Sequence, residues 1–434
     1  MPIWNRKIER MERSELEQLQ LERLQAVVNR VYRDVPFYRR KFEQLNIAPE
    51  DVQSLEDLAK LPFTTKEDLR DGYPYEMFAV PLREIVRIHS SSGAAARPIV
   101  VGYTRNDLRH WAEQVARILS AAGVTKDDVV HIAFDYGLFT GGFGMHYGAE
   151  RLGASVIPVS VGNTERQIQI MQDFRSTALV STPSYALYMC KVMDEMGVSP
   201  ASLYLRVGLF GGEPMSESMR SRIEDRLGIL ATDNYGVSAV MGPGIAGECE
   251  LKEGLHINED HFLVEVVDPK TLTPLPEGEQ GELVITTLTK EGVPMIRYRT
   301  RDITSIDRRP CRCGRTTARM SPVRGRTDDM FIIRGVNVAP SEIEALLYQI
   351  ENIEPKYQVV LERENGLDYL TLNVELAPHM VTDQMQRLVE LEETIKQRFH
   401  RVIGLTPRVK LVEPKSLENV DRSNRVIDLR EKQQ

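Results

Sequence analysis

Cys249, His256, Cys311 and Cys313 bring three thiols and an imidazole to one 65-residue stretch of a 434-residue chain that has only four cysteines. Three thiolates and one imidazole form the donor set of a closed tetrahedral zinc site, although the spacing is not the usual C-x-x-C. With no open ligand position and no acid–base partner in view, such a zinc is structural. The competing reading is free thiols in a polar loop, yet Cys311 and Cys313 among arginines make a poor core segment. Glu259, Asp260 and His261 stand close by, with His261 the reserve ligand. Cys190, on an apolar helical pattern, reads as a buried spectator.

A second centre of chemistry is Ser90-Ser91-Ser92-Gly93-Ala94-Ala95-Ala96-Arg97-Pro98, set between the apolar runs 85–89 and 99–103. Small side chains let successive backbone N–H groups close on an anion, the serines add hydroxyl donors, and Arg97 adds a fixed charge. The alternative is an ordinary small-residue turn. A Walker A loop is absent. A third is Tyr136 to Glu150, where Tyr136, Phe139, Phe143, Met145 and His146 alternate with glycines that include Gly141. Aromatics and glycine suit a ligand wall; a glycine-rich helix start packed in the core fits equally well. His146 alone is more often structural than catalytic.

The elements that must hold these residues follow from periodicity. Residues 13–46 carry a helical apolar face broken at Pro36, and 104–122 form a helix capped by Thr104 and stopped at Gly123. From Asp128 strands and helices alternate: strands near 128–134, 155–159, 178–183 and 206–212, helices near 164–174, 184–196 and 216–227. That order predicts a mostly parallel sheet with covering helices. Ligands of such sheets lie beyond the carboxyl ends of strands, which places Gly211-Gly212-Glu213-Pro214 and Asp233–Ala239 at a site. Residues 281–304 read as two strands of a small β unit. After it come a helix at 341–350 behind a Ser341 cap, a hairpin turning at Glu364-Asn365-Gly366, a helix at 381–402 and a strand at 408–412. The fold class expected is α/β: a large N-terminal domain of parallel-rich sheets plus a small β unit, then a small α+β domain.

Composition sets outer limits. The chain is 42% hydrophobic and 27% charged, as in an ordinary soluble globular protein. A net charge of −8 without a dense basic run argues against a nucleic-acid face. No apolar run approaches the ~18–20 residues of a membrane helix. The polar start Met1-Pro2-Ile3-Trp4-Asn5-Arg6-Lys7 does not read as a signal peptide. Few cysteines in so long a chain predict reduced thiols and a cytoplasmic address.

Leu61-Pro62-Phe63-Thr64-Thr65-Lys66-Glu67-Asp68-Leu69, followed by Ser91-Ser92-Gly93-x-x-x-Arg97-Pro98-x-x-Val101-Gly102-Tyr103-Thr104, resembles the phenylacetate–coenzyme A ligase family of adenylate-forming enzymes. The resemblance runs through nearly the whole chain. It implies an ATP-dependent ligase that joins an aromatic or other apolar carboxylic acid to AMP and then to coenzyme A, with Mg²⁺, as in phenylacetate catabolism. By resemblance the nucleotide is held by Ser91, Ser92, Gly93, Arg97, Gly212, Glu213, Pro214, Asn234, Tyr235, Gly236, Ser238, Asp302 and Arg326. Tyr136, Phe139, Gly141, Tyr235, Gly242 and Pro243 line the acyl pocket, and Arg334 and Gly335 serve coenzyme A. Asp328 is the hinge between domains 1–327 and 328–434, the second being mobile. A homodimer is the assembly carried as an expectation.

Three segments depart from the family pattern. The loop threonines, second glycine and lysine are replaced by Ala94, Ala95, Ala96 and Arg97, and the magnesium-binding glutamate after Ser238 is Ala239. The tail Val420-Asp421-Arg422-Ser423-Asn424-Arg425-Val426-Ile427-Asp428 lacks the catalytic lysine, and neither Lys415 nor Lys432 lies in its motif. No catalytic residue is therefore assigned, Arg97 being a partial substitute for the loop lysine. Three readings remain: a ligase slowed by these losses, a non-catalytic relative that binds adenine nucleotide or coenzyme A, and acyl transfer to a carrier-protein thiol.

Overall fold

The computed structural model describes residues 2–90, 98–327, 331–333, 336–338, 340–364, 367–378, 385–421 and 424–430. The chain packs into two compact units, Met1–Met215 with Arg220–Pro322, and Ser216–Met219 with Val323–Gln434.

In the larger unit a nine-stranded sheet runs in the order Ile306–Asp307, Arg319–Met320, Leu255–Ile257, Gly242–Glu248, Leu230–Val237, Val207–Gly211, Ala178–Ser181, Val129–Ile132, Ser155–Ile157. The last five strands are mutually parallel, as the strand–helix alternation requires. The first four pair antiparallel, beginning where Gly242–Glu248 folds back on Leu230–Val237. The sheet is thus half parallel rather than mostly so. The same fold-back moves a boundary: Asp233–Val237, expected as a loop, lies inside a strand because Asn234 and Tyr235 pair with Gly247 and Ala246.

The helix Arg105–Ala121 starts at Thr104, whose side chain accepts from Asp107 N–H in a reciprocal capping box. It packs against the helix Gly141–Leu152, and both lie on Gly242–Glu248. Glycine makes that approach possible. A Cβ on Gly148 would come 2.3 Å from Val115, and one on Gly247 2.4 Å from Ile118. Gly144 and Gly148 therefore serve helix packing, the second of the two readings of that segment. A separate sheet joins Phe262–Val267, Gly281–Thr287 and Tyr298–Thr304 antiparallel, as the small β unit was expected to. Arg87–Ser90 and Val100–Tyr103 form the hairpin that carries the Ser/Gly/Ala loop. Residues 91–97, and with them Ser91, Ser92, Gly93 and Arg97, lie outside the described residues.

The smaller unit has its own core. Ile353–Glu364 and Leu367–Leu376 form the expected hairpin, flanked by the parallel strands Val426–Asp428 and Arg408–Val412. Val359, Leu361, Leu372 and Val374 pack with Ile343, Ile395 and Phe399 of the helices Pro340–Leu347 and Met385–Ile403. Ser341 lies within the first of these helices rather than capping it. Asp328, Arg334, Gly335 and Lys432 lie outside the described residues. No described helix is long and apolar enough to cross a membrane.

Candidate functional site

Gly211 ends the strand Val207–Gly211, and a Cβ there would come 2.5 Å from the Asn234 carbonyl oxygen on the neighbouring strand. Gly212 follows at φ +81°, a left-handed turn that favours glycine. That turn aims Glu213 at the start of the helix Pro183–Glu195, where its Oε1 accepts from Ser184 N–H at 2.7 Å. A carboxylate there is favoured by the helix dipole. Pro214 follows, half-buried. Asn234 is buried and donates through Nδ2 to the Phe210 carbonyl at 2.6 Å, which fixes the two strand ends together.

Tyr235 and Asp302 come from different sheets and meet: the Tyr235 hydroxyl donates to Asp302 Oδ2 at 2.6 Å. Asp302 is held in turn by its own N–H on Thr300 Oγ1 at 3.1 Å. Arg301, at the position where glycine is usual, adopts φ +67°, the conformation that glycine takes without strain. Ser238 Oγ lies 2.8 Å from Thr140 Oγ1, tying this segment to the start of the Gly141–Leu152 helix. Ala239 is buried and offers no carboxylate.

The segment after Ser238 is held by two aromatic side chains. Gly236 has no room for a side chain, its Cβ position being 2.3 Å from the Gly242 carbonyl oxygen. Gly242 sits at φ +107°. The Tyr103 hydroxyl donates to the Met241 carbonyl at 2.7 Å, and Trp111 Nε1 donates to the Pro243 carbonyl at 2.7 Å. Neither ring was expected from the sequence, although Trp111 is one of only two tryptophans. Tyr136 turns its edge to Phe143, with its hydroxyl 3.2 Å from His146 Nδ1, so His146 is a hydrogen-bonded neighbour. Burial pushes the Tyr136 phenol upward. Phe139 is exposed, and Gly141 lies 3.4 Å from Phe134 at its Cβ position. Next to them, Ser90 N–H donates to the Leu138 carbonyl at 3.1 Å, so the base of the Ser/Gly/Ala loop abuts this wall. In the smaller unit Arg326 stands half-buried on the strand Gly325–Arg326.

The cysteines form a second cluster. Cys249, His256, Cys311 and Cys313 are all buried, and one ligand atom from each lies within 4.8 Å of the others. Antiparallel pairing makes this possible: His256 lies between Gly247 and Arg319 on adjacent strands, so Cys249 and the 311–313 turn flank it. The turn is closed by Gly314, at φ +92°, and Cys311 N–H donates to the Arg315 carbonyl at 3.0 Å. His256 Nε2 faces Cys313 Sγ at 3.5 Å, while Nδ1 is held by Thr317 Oγ1 at 3.3 Å. A ring oriented through one nitrogen with the other facing thiols fits a zinc ligand. His261, Glu259 and Asp260 are engaged elsewhere: His261 with Thr289, Glu259 with Arg13, Asp260 with Arg117.

The N-terminal segment closes over this turn. Arg315 donates to Glu9 Oε2 at 2.5 Å and to the Pro2 carbonyl at 2.8 Å, and Thr316 N–H donates to the Glu9 carbonyl at 3.0 Å.

Comparison with known proteins adds a second line. The AMP-binding enzyme family matches residues 136–289, and the AMP-binding enzyme C-terminal domain matches residues 335–430. The chain is 46% identical to the phenylacetate-coenzyme A ligase of Thermus thermophilus, over 99% of this chain and 100% of that one. It is 47% identical to the phenylacetate-coenzyme A ligase of Escherichia coli, over 99% of each. Among solved structures, 2-hydroxyisobutyryl-CoA ligase in the postadenylation state in complex with 2-HIB-AMP superposes with a TM-score of 0.90 at 33% identity. That alignment covers 99% of this chain and 93% of the other.

Proposed function

The chain belongs to the phenylacetate–coenzyme A ligase family of adenylate-forming enzymes, and on that premise we propose that it activates phenylacetate or a similar apolar carboxylic acid. The acid's carboxylate attacks the α-phosphate of ATP and pyrophosphate leaves. The thiol of coenzyme A then attacks the acyl carbonyl and AMP leaves. The observation that carries this reading is the Tyr235–Asp302 pair, a buried carboxylate held by the tyrosine that follows Asn234 in the strand. Asp302 accepts the ribose hydroxyls, the Gly212–Pro214 and Asn234–Ser238 segments border the adenine, and Tyr136, Phe139, Gly141, Gly242 and Pro243 border the acyl group. Ser91, Ser92, Gly93, Arg97 and Arg326 contact the nucleotide, Asp328 is the hinge, and Arg334 and Gly335 meet coenzyme A.

Turnover is slow in this reading. Losing one transition-state donor costs ~10²–10³ in rate; the loop lysine is replaced by Arg97, which keeps one charge for the phosphates, and the tail lysine is missing. Magnesium does not fit a protein carboxylate at Ala239, so no step is assigned to it. Zinc fits the Cys249–His256–Cys311–Cys313 set, as a structural ion holding the 311–317 turn. The protein acts in the cytoplasm, and light scattering tests the expected homodimer.

Isothermal titration with ATP, AMP and coenzyme A, followed by AMP release with phenylacetate and magnesium, tests the reading. Binding with slow, acid-dependent AMP release is expected. Binding without turnover across aryl and aliphatic acids means a nucleotide-binding relative. Turnover only with an added carrier protein means acyl transfer to its thiol.

A further inference from the structure

Lys290 has no ion pair among the described residues, although only 1% of its surface is exposed. Its Nζ sits 3.1 Å from the centroid of the Tyr103 ring and donates to Met241 Sδ at 3.5 Å. The Tyr103 ring also stacks on Trp111, centroids 4.9 Å apart and planes 14° from parallel. These two rings hold the carbonyls on either side of Gly242. A Cβ on Gly242 would lie 2.6 Å from Trp111, so the wall follows the rings closely.

The lysine's own position is set by helix capping. Asp107 Oδ1 accepts from Glu291 N–H at 2.7 Å and Oδ2 from Gly292 N–H at 2.9 Å. Glu291 is fixed by Thr104 Oγ1 and Asn106 Nδ2 at 2.9 and 2.8 Å. The Asp107 carboxylate is thereby committed to backbone donors, and the lysine head is left to an aromatic face and a thioether.

We infer that Lys290 is a positioning residue for the carboxylic-acid site: its amino group, seated on Tyr103, sets the Tyr103–Trp111 stack and through it the Met241–Gly242–Pro243 wall. The inference rests on the reading of that wall as part of the acyl pocket. Complete burial pulls the amine down to about 7, opposed by Asp107, so its charge changes near neutrality. Among the described residues the other charged or titratable groups of this cluster are Glu291 beside it in the chain, Arg87 and His89 on the Arg87–Ser90 strand, Tyr103 itself, and His110, which faces Asp107 and Glu291 and is lowered by burial. His89 packs edge-on against both Tyr103 and Trp111 and is lowered by burial.

The test uses the chain's two tryptophans. In the full-length protein with Trp4→Phe, Trp111 is the remaining indole, and its emission against pH reads the stack. The expected result is an inflection near about pH 7 that is lost in Lys290→Met and kept in His89→Gln. In the ligase assay Lys290→Met raises the KM for phenylacetate by about tenfold, with kcat and the KM for ATP within about twofold. Should Lys290→Met fail to fold, Lys290→Arg replaces it, because arginine does not titrate in this range and must also abolish the inflection. Emission that titrates identically without the lysine overturns the inference, as does an unchanged acid KM in a folded Lys290→Met protein. If the unsubstituted protein makes no acyl product, the ligase reading fails and the fluorescence titration still decides whether Lys290 sets the Tyr103–Trp111 stack.

Discussion

A hydrogen bond to a charged acceptor contributes ~1.5–3 kcal/mol, and the Tyr235 hydroxyl spends one on Asp302 at 2.6 Å. Two substitutions separate holding from binding. Tyr235→Phe removes the donor and keeps the ring, so chemical denaturation should show a loss of about 1–2 kcal/mol. Asp302→Asn keeps the shape and removes the charge that receives two hydroxyls. AMP affinity by titration calorimetry should fall at least about tenfold, a change of about 1.4 kcal/mol. Unchanged AMP binding in Asp302→Asn would remove this residue from the nucleotide site. Asp302 and Tyr235 were each singled out in the sequence, but their pairing was not, because they lie 67 residues apart.

At the scale of elements, one capping box ties two distant segments. Asp107 is fully buried and accepts from Thr104, Glu291 and Gly292 N–H. Each buried donor left without a partner costs ~1–3 kcal/mol. Asp107→Ala should therefore destabilise by more than about 3 kcal/mol, whereas Thr104→Ala, losing mainly a cap, should cost about 1 kcal/mol. Equal effects of the two would show that Asp107 acts only as a cap. The sequence announced Thr104 as the cap; it gave no sign that the same box organises residues 290–292. The metal turn behaves likewise. Metal analysis should return about one zinc per chain. Chelation should speed amide exchange in residues 2–12, since Arg315 and Thr316 carry the bonds to Pro2 and Glu9. A metal-free preparation with native exchange there would end the zinc reading.

For the whole molecule, two separate cores predict two unfolding transitions, and the chelator should lower only that of the larger unit, which holds the cysteines. Acid sensitivity is also global. His131 is fully buried on the strand next to the sheet edge, and burial lowers its imidazole from 6.5 to about 4, with Gln167 opposing. Between those values the unfolded chain binds the proton that the folded one refuses. Stability is thus fully present above pH 6.5 and falls as the pH drops toward about 4. The His131 share is about 3 kcal/mol. Denaturation curves of His131→Asn over this range should be flatter by that order. His261, lowered to about 3 by burial, supplies a further slope that the variant retains.

The sequence by itself determined what depends on near neighbours: the Thr104 cap, the strand–helix alternation, the hairpin Ile353–Leu376, and the donor chemistry of three thiols and an imidazole. Hydrogen bonds and apolar faces within a few residues carry that information. Only the tertiary structure decided which groups converge and which lose water. The fold-back of Gly242–Glu248 turned half the sheet antiparallel and placed Cys249 beside His256 and the 311–313 turn. It also made packing contacts of glycines that read equally as a ligand wall. Lys290 looked like any charged turn residue beside Glu291 and Gly292, and burial against Tyr103 changed what it is. Strand pairing over tens of residues sets burial, and burial sets the chemistry of a side chain.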